Sequence, residues 1–566
     1  MSNDTAERLI AKIIGIGSAF IAVIVVTGTV MDPVNVTKFF ALGGVAVAAL
    51  LVSISFHRSR LWSDHRVEIY FALALLLASL NSIIAASSPL TQNLYGVFGR
   101  NTGFLTYLFL IALFMASLVI RNKKYFPWLL FGLFAAGLVN VVYCLWALYL
   151  GDPIPWNNPY GNILGTFGNP NFIGAFLGIF LSTMVAYVLK SGTKLVTRLI
   201  ALVVFVVGSF EIIKSNAIQG RVVLLGGLAI VGFFYVRSRF TNIFISILYV
   251  GLATAGGITA LLGALQVGPL TQYIYKTSVS LRGEYWQAGI NMGMDNLWTG
   301  VGFDSYGDWY RRARDAQALI LPGPNTTTNA AHNVVLDVFA FGGLPLLIIY
   351  LGLLTLSAVA IVKVTLRQRE YDAVFVGLAT AWITYQVQSI ISINQIGLAI
   401  WGWIFGGALI AYERSSREVD NSETSTKKVT SRNRIRRHSE NIFSPQLIAS
   451  IGAVVGLIVA CPPYMGDSSY RTALQTGNAV ELEKALTPSY LTPPTTFKYA
   501  DVAQKFEAAG LTDLAYKYTK LAIEFNPDSY EAWSIFSQIS KSTAEEKLEA
   551  LENLRRLDPL NPAYKG

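Results

Sequence analysis

The side chains best suited to chemistry lie in one long polar stretch, Leu281 to Asn333, which has Arg282 near its start and His332 and Asn333 at its end. An arginine keeps its charge at any physiological pH, and its planar fork grips phosphate oxygens two at a time. An imidazole accepts a proton from a hydroxyl near neutral pH. Arginine and histidine facing one another would therefore hold an anionic group and activate an alcohol. Glu284 offers a rival base two residues after Arg282, and Trp286 places an aromatic ring beside it. His332 also has a plainer reading as a cap on the apolar helix that follows. The remaining histidines, His57, His65 and His438, fall among basic residues in short loops, where they are expected to be solvated.

Two further arginines stand at the ends of apolar runs. These are Arg221 in SNAIQGRVVLLGG and Arg100 in VFGRNTGFLTYL. A cation there is costly unless it is paired or lines a wet cavity, which makes each a candidate for substrate binding. The alternative is a long side chain that simply reaches the membrane interface. The two cysteines, Cys144 and Cys461, lie in or beside apolar runs, so neither a disulfide framework nor a thiolate metal site is expected.

The elements that must position these residues are membrane helices. Of the chain, 53% is hydrophobic and only 14% charged, above the apolar share and below the charged share of soluble domains. Segments of about 20 apolar residues each cross a hydrocarbon core, and about thirteen such runs are present. They cover Leu9 to Val30, Val36 to Phe56, Val67 to Ala86, Gly103 to Ile120, Tyr125 to Leu150, Phe172 to Leu189 and Leu195 to Ile213. Arg221 to Val236, Thr241 to Leu265, Val334 to Val362, Asp372 to Ile393, Ile396 to Tyr412 and Pro445 to Cys461 complete the set. The fold class is thus all-α: a polytopic bundle of 12–13 spans over 1–412 and 445–461, with a large loop over 266–333.

Lysine and arginine collect in alternate loops, around Arg60, Lys123, Lys194, Arg237 and Arg367 and through the linker 413–444. Positive loops stay cytoplasmic, which leaves the 266–333 loop and the C-terminal tail outside the cytoplasmic membrane. This placement of charge explains the net +10 without invoking nucleic acid. The linker carries Lys427, Lys428, Arg432, Arg434, Arg436 and Arg437, and is read as a topology-fixing loop rather than a lipid-binding one.

Beyond the last span, 467–566 forms a separate soluble helical domain. Ala515, Tyr518, Ala522 and Phe525 recur at helical spacing before Pro527, and Leu554 and Leu557 repeat the ending before Pro559. The segment resembles tetratricopeptide repeats, which pack helix pairs in series and either present a groove to a protein partner or serve a plain packing role.

The segments GTFGNPNFIGAFL, QGR at Arg221, LRGEYWQAGINMGMDNLWTGVGFDSY and HNVVLDVFAFGGLPLL, in that order, resemble the O-antigen ligase and O-antigen polymerase superfamily over Tyr95 to Tyr412. The resemblance implies a polytopic GT-C glycosyltransferase of the bacterial cytoplasmic membrane. It would transfer a glycan from an undecaprenyl-diphosphate carrier to a glycan, lipid or protein acceptor, without a nucleotide sugar, metal or other cofactor. It further implies that Arg221 and Arg282 hold the diphosphate and that His332 activates the acceptor, with Arg100, Trp286, Asn333 and Glu284 near the substrate. One departure is Gly220, where the family often has serine before the arginine. The loop Gly151 to Asn171 is expected either to dip toward the membrane as a cavity wall or to be an ordinary outer loop. Gly307 to Arg314, GDWYRRAR, has residues suited to sugars or phosphates but receives no chemistry. A lipid-linked glycan transporter and a scaffold displaying the tail remain as alternatives from other classes.

Overall fold

The computed structural model describes residues 3–155, 157–264, 267–268, 271–274, 277–424 and 443–564. The basic cluster of the linker, Lys427 to Arg437, and His438 lie outside these residues. In chain order the helices begin with α1 (Asn3–Val23), α2 (Asn35–Asp64), α3 (Arg66–Ala85), α4 (Leu90–Tyr95), α5 (Phe104–Leu118), α6 (Pro127–Tyr149), α7 (Pro170–Val188) and α8 (Leu195–Lys214). They continue with α9 (Ile218–Arg239), α10 (Ile243–Ala264), α11 (Thr271–Ile274), α12 (Thr277–Asp295), α13 (Tyr306–Ala313), α14 (Val334–Arg367), α15 (Ala373–Ser389) and α16 (Ile396–Thr424). The tail adds α17 (Pro445–Thr476), α18 (Ala479–Ala485), α19 (Thr496–Ala508), α20 (Thr512–Phe525), α21 (Tyr530–Gln538) and α22 (Ala544–Leu557).

Each apolar run read from the sequence holds a helix, although the first, read to Val30, is helical only to Val23, and among the described residues ten helices are long and apolar enough to cross a membrane. The chain is a multi-pass membrane protein. Three expected spans fall short of that measure for physical reasons. Helix α5 has 15 residues and α15 has 17, while α1 carries Glu7, Arg8 and Lys12 within its 21. All three are packed against other helices, so neighbours rather than lipid cover much of their surface.

Two opposite faces separate the polar contacts. On one, Arg60 pairs with Glu7 at 2.9 Å, Arg414 with Glu68 at 2.7 Å and Arg367 with Glu413 at 2.8 Å. His57 and His65 belong to this face, but they are not solvated: they are 1% and 3% exposed. Only His65 separates α2 from α3, so the expected loop is a tight corner closed over both rings. Burial lowers the pKa of His65 there, with Glu68 opposing the shift. The other face gathers the segments around Met31, Arg100 and Leu297–Asn333 and the whole tail.

Helix α17 does not end at Cys461 but runs on to Thr476, so the last span and the start of the tail are one rod. Its membrane part crosses α2 where glycines allow backbone contact; a Cβ on Gly43 would lie 2.6 Å from the Gly456 carbonyl oxygen. Its outer part is held because Asp467 accepts the N–H groups of Met31 at 2.8 Å and Asp32 at 3.0 Å. The tail has its own apolar cluster, in which α19 packs on α20 and α21 on α22. Ala515, Tyr518, Ala522, Leu554 and Leu557 are buried in it, as their spacing predicts.

Candidate active site

The site is built on a break in α14. Pro345 has no N–H, so the Phe341 carbonyl four residues back loses its helical partner, and Gly343 leaves helical geometry at φ +64°. The freed groups are taken up by the loop after α12. Gly302 donates to the Phe341 carbonyl at 3.1 Å, Val301 to Ala340 at 2.8 Å, and Leu344 donates back to Leu297 at 2.7 Å. The Gly-Gly-Leu-Pro of α14 and the Gly-Val-Gly of the loop are therefore one device that knits α12 to α14. Gly300, at φ +64°, tolerates nothing larger, since a Cβ would meet Phe341 backbone at 2.3 Å.

His332 stands just before α14 in the left-handed region, at φ +57°. A non-glycine residue in that region costs of order 1–3 kcal/mol and persists only where its surroundings impose it. Those surroundings are visible. Ala331 donates its N–H to Asp337 Oδ1 at 2.7 Å, and Asn333 caps α14 by accepting from Val335 at 3.0 Å and Leu336 at 3.2 Å. The imidazole lies against the Tyr285 ring of α12, with centroids 5.6 Å apart and planes inclined by 29°. Tyr306 in turn donates its hydroxyl to the Tyr285 carbonyl.

Burial, reinforced by the charges of Arg100 and Arg282, pushes the His332 pKa down to about 3. His332 is thus neutral, with its accepting nitrogen free of a proton at physiological pH. Arg282 is half-buried and, among the described residues, has no carboxylate partner; burial lowers its pKa. Arg100 is half-buried as well and, among the described residues, forms no close ion pair, although its charge acts on the buried carboxyls of Asp304 and Asp337. Two arginines without a close ion pair among the described residues, beside a neutral imidazole, have the chemistry to bind an anion next to a base.

Arg100 reaches this centre through Asp304. The Asp304 carboxylate accepts the Val97 N–H at 2.8 Å, and its own loop is tied to α4 by Phe303 donating to Asn93 at 2.8 Å. Asp304 is buried, and its pKa is raised by burial against the opposing charge of Arg100. It was missed in the sequence, where the Gly-Val-Gly-Phe run just before it is the signal that could have found it.

The other expected site residues are distributed as follows. Trp286 is half-buried, and its indole N–H is buried without a partner. Glu284, two residues from Arg282, points to another side of α12. Its pKa is raised by burial and by Asp315, and it is not among the charges acting on His332. Asn333 has its amide oxygen occupied by the helix cap. Arg221 stands apart on the first turn of α9, exposed, and is likewise not among the charges acting on His332. Gly220 beside it is explained by packing, since a Cβ there would lie 2.7 Å from Gly174 backbone. The two mouths are joined through one loop: Gln219 donates to Gln388 at 3.0 Å, Gln395 to Asn35 at 3.2 Å, and Asn35 to the Gly99 carbonyl at 2.7 Å. Among the described residues no group of three or more His, Cys, Asp or Glu is placed to hold a metal ion.

Residues 177–351 match the O-antigen ligase family. The chain carries an O-antigen ligase domain. That span contains Arg221, Arg282 and His332 together with the knitted break in α14, whereas Arg100 is supplied from outside it. Glycan transfer of the O-antigen ligase kind is accordingly the activity class of this membrane protein. Comparison with curated proteins finds no match.

Around the ligase domain, two loops left open by the sequence acquire places. In Gly151 to Asn171 the second half enters the bundle: Thr166 is buried, donating to the Ala22 carbonyl at 3.0 Å and to Asn140 at 3.0 Å, while Tyr160 stays exposed. In GDWYRRAR the arginines contact the tail, not an open site. Arg311 and Arg314 both pair with buried Asp558, at 3.0 and 2.7 Å.

Proposed function

We propose that the chain transfers a glycan from an undecaprenyl-diphosphate donor to an acceptor hydroxyl at the outer face of the cytoplasmic membrane, as a glycosyltransferase of the GT-C type. One observation carries the reading: His332, kept neutral, sits in the field of Arg100 and Arg282, and among the described residues neither arginine forms a close ion pair. Such a pair is satisfied by a diphosphate. Exposed Arg221 at the neighbouring helix mouth receives the same lipid-linked group on its way in.

In the reaction the acceptor oxygen attacks the anomeric carbon while His332 takes the hydroxyl proton. A new glycosidic C–O bond forms and the bond from the anomeric carbon to the diphosphate oxygen breaks. Undecaprenyl diphosphate leaves with the electron pair, and Arg282 and Arg100 stabilise the charge that develops on it. The proton on His332 then passes to water or to the departing diphosphate. Without substrate the arginines oppose a proton on His332; a bound diphosphate cancels their field, so the base gains strength only when the donor is in place.

The basic face with Arg60, Arg367 and Arg414 is cytoplasmic in this reading, and the face with His332 and the tail is outside. The tail is read, from its sequence, as tetratricopeptide-like. The test is to give purified protein in bilayers an undecaprenyl-diphosphate glycan with lipid, glycan and protein acceptors, and to weigh the products. A product heavier by the glycan, with one undecaprenyl diphosphate released per transfer, is expected. Absence of product from every donor, in a correctly inserted protein, contradicts the reading and favours a transporter or scaffold.

A further inference from the structure

We propose that the helical tail is a clamp that holds the two walls of the reaction centre in register, with Asp558 and Phe497 as its positioning residues; this rests on the glycan-transfer reading above. The first hand is Asp558. Its side chain is fully buried and accepts from Arg311 at 3.0 Å, from Arg314 at 2.7 and 2.9 Å, and from Asn561 at 2.9 Å. Arg311 also lies 4.0 Å over the ring of Tyr530. These arginines follow closely on Tyr310 of α13, whose ring meets Tyr285 edge-on at 5.8 Å, and Tyr285 carries the imidazole of His332 at 5.6 Å. From the tail to the base there is thus an unbroken run of fixed contacts.

The second hand is Phe497. Its ring lies parallel to that of Phe98, 4.2 Å away, two residues before Arg100. Thr91 of α4 fastens the same region by donating to the Pro494 carbonyl at 3.0 Å. Asp528 bridges the hands, accepting from Ser87 at 2.8 Å on one wall and pairing with Arg312 at 3.3 Å on the other. Rod α17 anchors both to the bundle. The clamp has an electrostatic side too. Asp558 holds Arg311 and Arg314 on the tail, so these two arginines are turned to the clamp rather than to a diphosphate.

Displacing reacting groups by about 1 Å costs up to roughly 100-fold in rate. Phe497→Leu and Asp558→Asn are each expected to lower kcat about 10-fold or more, with little change in KM for the undecaprenyl-diphosphate glycan. Phe497→Leu changes no charge. By letting Arg100 withdraw, it also moves the acid limb of kcat/KM to higher pH, which a loss of folded protein alone does not do. Lys541→Ala, on an exposed pair with Asp513 elsewhere on the tail, leaves both unchanged. Amide hydrogen exchange of residues 97–102 and 285–292, measured on the full chain in bilayers, is expected to quicken in both clamp variants. Wild-type kcat, limb and exchange in inserted Phe497→Leu overturn the clamp, and this variant decides if Asp558→Asn does not fold. If the wild-type chain itself transfers nothing, the reaction reading fails, and exchange alone judges the clamp.

Discussion

In the proposed reaction His332 acts as a base by being neutral, and the charges that keep it so are the ones proposed to hold the leaving group. A free histidine titrates near 6.5, whereas this one is pushed down to about 3, first by burial and then by Arg100 and Arg282. The acid limb of kcat/KM, which reports the free enzyme, is therefore expected well below pH 6.5, and that of kcat at higher pH, because bound diphosphate offsets the arginines. Arg100→Gln removes a positive neighbour and moves the kcat/KM limb upward; an unmoved limb in pH–rate profiles separates Arg100 from the base. Asn333→Ala costs about 1 kcal/mol of stability through the lost cap, and Asn333→Ser, which also caps, restores it. Thermal unfolding of the two variants checks this. Arg282 and His332 stand out in the sequence as candidates because an arginine and a histidine bracket one polar stretch between spans. The structure relates them only in that the Arg100 and Arg282 charges act on His332, whose ring lies against Tyr285. Arg100 was legible only as a candidate, since the contact that brings it in runs through Asp304, 207 positions from Val97.

Among the elements, α14 does the most to shape the site. Its break at Gly343 and Pro345 releases backbone groups that the Gly-Val-Gly loop binds, and this fixes where α12 presents Arg282 and Tyr285. Gly300→Ala meets backbone and demands a left-handed conformation, so a loss of about 1–3 kcal/mol is expected, read as a lower unfolding temperature. An unchanged unfolding temperature contradicts the pinned loop. The spans themselves were legible from apolar length, and the tail helices from spacing. The shortfalls of α1, α5 and α15 were not, because a helix enclosed by others is freed from the length and polarity that lipid demands. Nor was the burial of His57 and His65 visible, since one residue between α2 and α3 makes a corner where a run of basic residues suggested a loop.

At the scale of the whole molecule, the proposed orientation places the tail and the His332 face together outside the cytoplasm. A reporter fused at Gly323 is expected to be active outside the cytoplasm; cytoplasmic activity inverts the topology. The tail's grip was hidden in the sequence. Arg311 and Arg314 have the look of phosphate contacts, and their true partner Asp558 lies 244 residues from Arg314. The overall class was legible from composition and from motif order, and residues 177–351 bear it out by matching the O-antigen ligase family. The most direct measurement of the central claim is single-turnover transfer from an undecaprenyl-diphosphate glycan by wild-type, Arg282→Ala and His332→Ala protein, inserted to equal amounts. Loss of about 100-fold or more is expected in each variant. Wild-type turnover in His332→Ala contradicts the base, and wild-type turnover in Arg282→Ala contradicts the anion site.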